Sequence, residues 1–119
     1  MIKYYEIENK VIAELTDENF IITQPQDFLD LVGDSVSQNC NRLIIREKNL
    51  HKNFFRLHTG LAGEILQKVS NYNFKLAIIG DFTKFSSNNL QDFIRESNKG
   101  RSIFFVNTRE DALNKMIIK

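Results

Sequence analysis

The chain has 119 residues, 42% of them apolar and 26% charged, with a net charge of +1; that size suits one domain (1–119), burying roughly 65% of the surface its unfolded chain exposes. No apolar run approaches the ~20 residues of a membrane span, and the start Met1-Ile2-Lys3-Tyr4-Tyr5-Glu6 lacks the basic and apolar regions of a signal peptide. A single cysteine, Cys40, excludes an intrachain disulfide and, with only two histidines, argues against a structural zinc site; the cytoplasm is the default compartment, Cys40 reads as a small buried hydrophobe, and no metal or cofactor is expected.

In chain order, Ile2, Tyr4, Ile7 and then Val11, Ala13, Leu15 alternate mostly with period two around a turn at Asn9-Lys10. This predicts a half-buried antiparallel hairpin. Phe20-Ile21-Ile22 reads as a short third strand. Thr23-x-x-Gln26, with Pro25 inside it, predicts a helix start with a capping box. Phe28, Leu29, Val32 and Val36 then share one helical face. Leu43-Ile44-Ile45 is a continuous apolar run, the pattern of a strand covered on both faces.

Lys48 to Leu57 is irregular, and a helix follows from about Thr59 with an apolar stripe of Leu61, Ala62, Ile65, Leu66, Val69 and Tyr72. Leu76 to Ile79 is a second buried strand, ended by Gly80-Asp81. Asn88-x-x-Gln91 opens a helix with Leu90, Phe93 and Ile94 inward and Gly100 as its C-terminal cap. Ile103 to Val106 is a third buried strand, and Thr108-x-x-Asp111 opens a last helix carrying Ala112, Leu113 and Met116. Strands alternating with helices imply right-handed crossovers, hence an α/β fold: an antiparallel hairpin followed by a mixed, mostly parallel sheet.

Charge is unevenly spread. Residues 1–39 hold two basic groups against eight acidic ones, and the remainder holds fourteen against seven, so the parts carry −6 and +7. Solvated faces explain this most simply; self-association as a homo-oligomer, or attraction of an anion, is the sharper reading.

Ligands of open parallel sheets sit beyond the carboxyl ends of the strands. Here those ends lead to Arg46-Glu47, Gly80-Asp81 and Asn107-Thr108, with Phe54, Phe55, His58, Thr59, Phe82, Thr83 and Phe85 in the departing segments. Polar groups mixed with aromatics suit binding, although loop phenylalanines also serve to plug a loop onto the core. Thr59 is placed to cap the amides of Leu61 or Ala62, and Gly60 and Gly63 would let a ligand or a neighbouring backbone approach. Glu64, His58 and Asp81 are the acid–base candidates of an enzymatic alternative, a small hydrolase. Against it, no Gly-x-Ser-x-Gly elbow, dinucleotide fingerprint or Walker loop is present. Arg42, Arg46, Lys48, Lys52 and Arg56, interleaved with Phe54 and Phe55, form a basic–aromatic stretch of the kind that holds single-stranded nucleic acid. The nearly neutral overall balance disfavours a nucleic-acid role.

Three stretches, Thr59 to Lys68, Lys75 to Phe82 and Ser97 to Val106, resemble an uncharacterised bacterial family, domain of unknown function 4180, over nearly the whole chain. That resemblance brings no established activity. The element order also resembles STAS domains, the fold of bacterial anti-sigma-factor antagonists, whose phosphorylated serine or threonine begins a helix in an Asp-Ser-Ser-Gly-Leu-like motif. His58-Thr59-Gly60-Leu61 stands in the comparable place. The resemblance implies a switch role for Thr59 alone, and His58 departs from the acidic residue usual at its position. The expectation is a non-enzymatic regulatory or binding module of STAS-like shape. Its site would gather His58, Thr59, Gly60, Asp81, Phe82 and Phe85 and face a protein partner or a small anionic or amphipathic ligand.

Overall fold

The computed structural model describes residues 1–118. Five strands form one sheet in the order β1-β2-β3-β4-β5: β1 (Ile2–Ile7), β2 (Lys10–Leu15), β3 (Arg42–Arg46), β4 (Lys75–Ile79) and β5 (Ile103–Val106). β1 and β2 pair antiparallel, and β2 through β5 run parallel. The helices are α1 (Pro25–Val36), α2 (Leu61–Asn71), α3 (Asn88–Lys99) and α4 (Arg109–Ile117). The fold is therefore the mixed α/β sheet expected from the alternation of elements.

Strands that are neighbours in sequence are also neighbours in the sheet. Right-handed crossovers then put every connecting helix on one face. Phe28, Leu31 and Val32 of α1, Leu61, Ala62, Ile65 and Val69 of α2, and Leu90 and Ile94 of α3 pack there on Leu43, Ile45, Leu76, Ile78 and Phe105. The opposite face, Ile12, Ile44, Ala77, Phe104 and Val106, is covered by Ala112 and Met116 of α4. This is why β3, β4 and β5 are apolar without interruption. A sequential strand order never doubles back across the sheet, and so leaves no crevice at a switch point. Any site at the carboxyl edge must be built by loops.

Local details correct several sequence expectations. The hairpin turns at Glu8 and Asn9, both at positive φ (50° and 66°), with Ile7 opposite Lys10; this is the backbone a two-residue hairpin requires. Phe20–Ile22 forms no strand but a single bridge, Ile22 to Leu50. At α1 the side chain that reaches back is that of Asp27, which accepts from the N–H and hydroxyl of Thr23; Gln26 bonds Asp30 instead. The inward face of α1 is Phe28, Leu31, Val32 and Ser35, leaving Val36 exposed. Tyr72 lies past the end of α2 and is also exposed. α3 is capped by Ser87, whose hydroxyl accepts from the Leu90 N–H, not by Asn88. Gly100 does follow α3, but in extended backbone rather than a left-handed turn. Thr108 caps α4 through the Asp111 N–H as its spacing predicts. Cys40 is buried, its thiol donating to the carbonyls of Val11 and Arg42, and burial pushes its pKa up.

Candidate binding site

The segment after β3 folds into three short 3-10 turns, Glu47–Asn49, Lys52–Phe55 and Leu57–Thr59. Buried Asn49 holds its start: Oδ1 accepts from the Arg46 N–H, and Nδ2 donates to the carbonyls of Asp17 and Phe20. Its end turns at Gly60, whose φ of +83° is the left-handed conformation that glycine adopts without strain. The segment after β4 turns sharply at Gly80. A Cβ there would stand 2.7 Å from both Cβ and Oε1 of Glu47, so only glycine lets the Glu47 side chain lie across the end of β4.

Phenylalanines join the two segments. Phe54 contacts Phe55 edge-on at 5.0 Å, and Phe82 meets Phe105 of β5 edge-on at 5.2 Å. Phe55 stacks on Phe85 with centroids 4.7 Å apart and planes 14° apart. Phe54, Phe55 and Phe82 are buried and anchor their loops to the core, the simpler of their two readings. Phe85 is only half-buried. It forms, with Phe55 and Leu50, the apolar part of a cavity of about 400 Å³. Around that floor stand Lys48, Lys52, Arg56 and Lys84, with Glu47 as the one carboxylate. Glu47 pairs with Lys84, and Lys48 with Glu18 at 2.6 Å. Lys52 and Arg56 have no carboxylate partner among the described residues. A second recess of about 350 Å³, lined by Arg46, Glu47, Lys48, Ile79, Gly80 and Lys84, continues the cavity along the carboxyl edge.

The residues singled out from the sequence divide in two. Phe82 and Phe85 belong to the aromatic layer just described. Thr59 lies in the turn before α2 and not at its cap. Its hydroxyl sits 2.6 Å from the Asn53 carbonyl and 2.8 Å from that of Arg56, and accepts only a long 3.4 Å contact from the Leu61 N–H. Asp81 is exposed, and its Oδ1 accepts from the N–H and hydroxyl of Thr83. Those bonds, the hydroxyl's foremost, hold its carboxyl below the ordinary aspartate range. Thr59 and Asp81 thus satisfy themselves within their own loops and share no hydrogen bond. His58 and Glu64 are exposed, and no hydrogen bond links them to Asp81 among the described residues.

Two contributors escape sequence reading. Lys84 lies outside the basic stretch 42–56 and joins it only because β4 neighbours β3; its signal was a lysine beside Phe85 at a strand end. The other is Glu14, buried on the α4 face of β2, where Arg46 (2.8 Å) and Arg109 (2.9 Å) both pair with it. Burial alone would raise its pKa, but hydrogen bonds from Arg109 and Arg46 hold it below the ordinary glutamate range. No signal in the sequence marks it, because the alternation of Val11, Ala13 and Leu15 turns Glu14 to the other face of the strand.

A larger groove of about 590 Å³ runs between α2 and α3 over Leu66, Val69, Phe93 and Ile103. It carries one cation, Arg101, and one acid, Glu96, and of the residues considered for a ligand site from the sequence only Gly63. No helix among the described residues is long and apolar enough to cross a membrane, and no cluster of metal-ligating side chains is found there. A search of curated proteins finds no match to the chain. The model of one family, described as Domain of unknown function (DUF4180), matches residues 7–116, and the chain belongs to that family.

Proposed function

We propose that this protein is a non-enzymatic binding module of STAS-like architecture, and that its cavity at the carboxyl edge takes a small amphipathic anion. One observation carries the reading: a cavity of about 400 Å³ joins an apolar floor of Leu50, Phe55 and Phe85 to four cations, two of them without a carboxylate partner among the described residues. Buried aromatic rings with a few convergent charged groups are the usual make-up of a small-molecule site. The aromatic floor would cover an aryl or alkyl body, while Lys52 and Arg56 would meet a phosphate or carboxylate. Arg56 brings a planar fork suited to such oxyanions. A phosphorylation switch at Thr59 has weaker support, because its hydroxyl is engaged with two main-chain carbonyls. The acid–base reading has less support, since no hydrogen bond links Glu64, His58 and Asp81 among the described residues.

The test is a calorimetric titration with phenyl phosphate, with inorganic phosphate and phenol as its separate halves. The whole probe should bind more tightly than either half. Arg56→Glu and Phe85→Ala should each weaken it about tenfold, equivalent to about 1.4 kcal/mol. Binding that is indifferent to both substitutions, or no binding of the whole probe, contradicts the proposal.

A further inference from the structure

The two edges of the sheet differ. At β5 the outward groups of Phe105 are taken by the side chain of Asn98 on α3: the Phe105 N–H donates to Oδ1 at 2.7 Å, and Nδ2 donates to the Phe105 carbonyl at 3.2 Å. That side chain seals the middle of a four-residue strand. At β1 nothing comparable is present among the described residues. The Thr16 N–H donates to the Met1 carbonyl at 2.8 Å, and the register runs without a bulge from Ile2 opposite Leu15 to Ile7 opposite Lys10. The alternation of an antiparallel ladder then turns the backbone groups of residues 1, 3, 5 and 7 toward β2 and those of Ile2, Tyr4 and Glu6 outward. These outward groups have no hydrogen-bond partner among the described residues. The strand is also held on both faces: the Tyr4 hydroxyl donates to the Asp34 carbonyl at 3.1 Å, and Arg109 lies 5.3 Å from the centre of the Tyr5 ring. An ordered, unpaired edge is a template for another strand.

We propose that β1 pairs antiparallel with β1 of a second copy of this chain, about a two-fold axis perpendicular to the sheet. Such an axis keeps each face of the sheet on its own side, so paired residues must have the same parity. The central register places Tyr4 opposite Tyr4 on the axis, Ile2 opposite Glu6, and Lys3 opposite Tyr5. It sets no like charges against each other and brings a lysine to a tyrosine ring, both favourable for cross-strand pairs. Moving the register one step toward the N-terminus would oppose Lys3 with Lys3; moving it the other way would bring Ile2 against Glu8 of the turn. The strand's own sequence is thus a suitable partner for itself, which favours a second copy over an unrelated extended segment. The joined sheet would carry both α4 helices on one face, with the two anion cavities at opposite ends and unobstructed.

Sedimentation equilibrium of the whole chain tests this together with two kinds of variant. Glu6→Pro removes an outward N–H without touching the β1–β2 ladder, a position where an edge strand tolerates proline. Tyr4→Cys places two thiols on the axis at a Cα separation of about 5.5 Å, within disulfide reach. Glu6→Cys places them four residues apart, out of reach. The wild type should dimerise, and Glu6→Pro should weaken dimerisation at least about a hundredfold with unchanged circular dichroism. Tyr4→Cys should cross-link under mild oxidation and Glu6→Cys should not. If Glu6→Pro fails to fold, the cysteine pair decides. A wild type that stays monomeric to about 1 mM, dimerisation unaffected in folded Glu6→Pro, or equal cross-linking of both cysteine variants overturns the proposal.

Discussion

The two faces of the sheet are closed by different physics. On one, three helices bury a continuous apolar layer that includes Phe28, Ile65, Leu76 and Ile78, all fully buried. On the other, one nine-residue helix, α4, covers Ile12, Ile44, Ala77 and Phe104 with buried Ala112 and Met116, flanked by half-buried Leu113 and Ile117. That smaller cover is fastened by polar bonds at both ends. At its start Arg109 pairs with buried Glu14, which Arg46 also holds. At its end the Arg42 Nε donates to the Met116 carbonyl and the Lys75 Nζ to the Ile118 carbonyl, both at 2.7 Å. A broad apolar contact stabilises in proportion to its area. A narrow one gains its position from directed bonds, and those to Glu14 are open to titration.

Ile78→Ala breaks the comparison on the three-helix side. It removes a fully buried side chain from between helix and sheet, and should cost about 2–5 kcal/mol in denaturant unfolding. A loss under about 1 kcal/mol would mean that this face is not the main source of stability.

Glu14→Gln sharpens the other side with a smaller effect. The arginine side chains remain 30% and 45% exposed, which moderates the cost of leaving them unpaired. A loss of about 1–3 kcal/mol is expected. The pH dependence has a definite sign. Glu14 has a lower pKa folded than unfolded, so its contribution is complete above the unfolded value of about 4.3. It is lost as pH falls through the lower folded value. Thermal unfolding of the wild type should therefore weaken in that acid range, and Glu14→Gln should weaken less steeply. Parallel acid profiles for the two proteins would remove Glu14 from the account.

The same contrast explains what was legible in the sequence. Strands covered on both faces announce themselves, because every residue of Leu43–Ile45 and Ile103–Val106 must be apolar. A cap such as Thr108 is equally plain, since its partner lies three residues away. Glu14 was not legible. Period-two alternation assigns it to solvent, and only the return of α4 over that face buries it. The site shows the same limit. Phe82, Phe85 and the basic stretch were visible as a mixture of aromatics and charge, but their meeting depends on β3 lying beside β4. The hydroxyl of Thr59 looked like a helix cap because Gly60 gives no sign in sequence of the left-handed turn that moves the cap by one residue.

The central claim is that the loops after β3 and β4 form one anion-binding surface. Amide chemical-shift mapping of the whole chain during titration with phenyl phosphate tests it most directly. Shifts should concentrate on residues 47–56 and 84–85, and those of Leu66, Phe93 and Ile103 in the α2–α3 groove should stay still. Saturable shifts confined to that groove, or none at either place, would contradict the account.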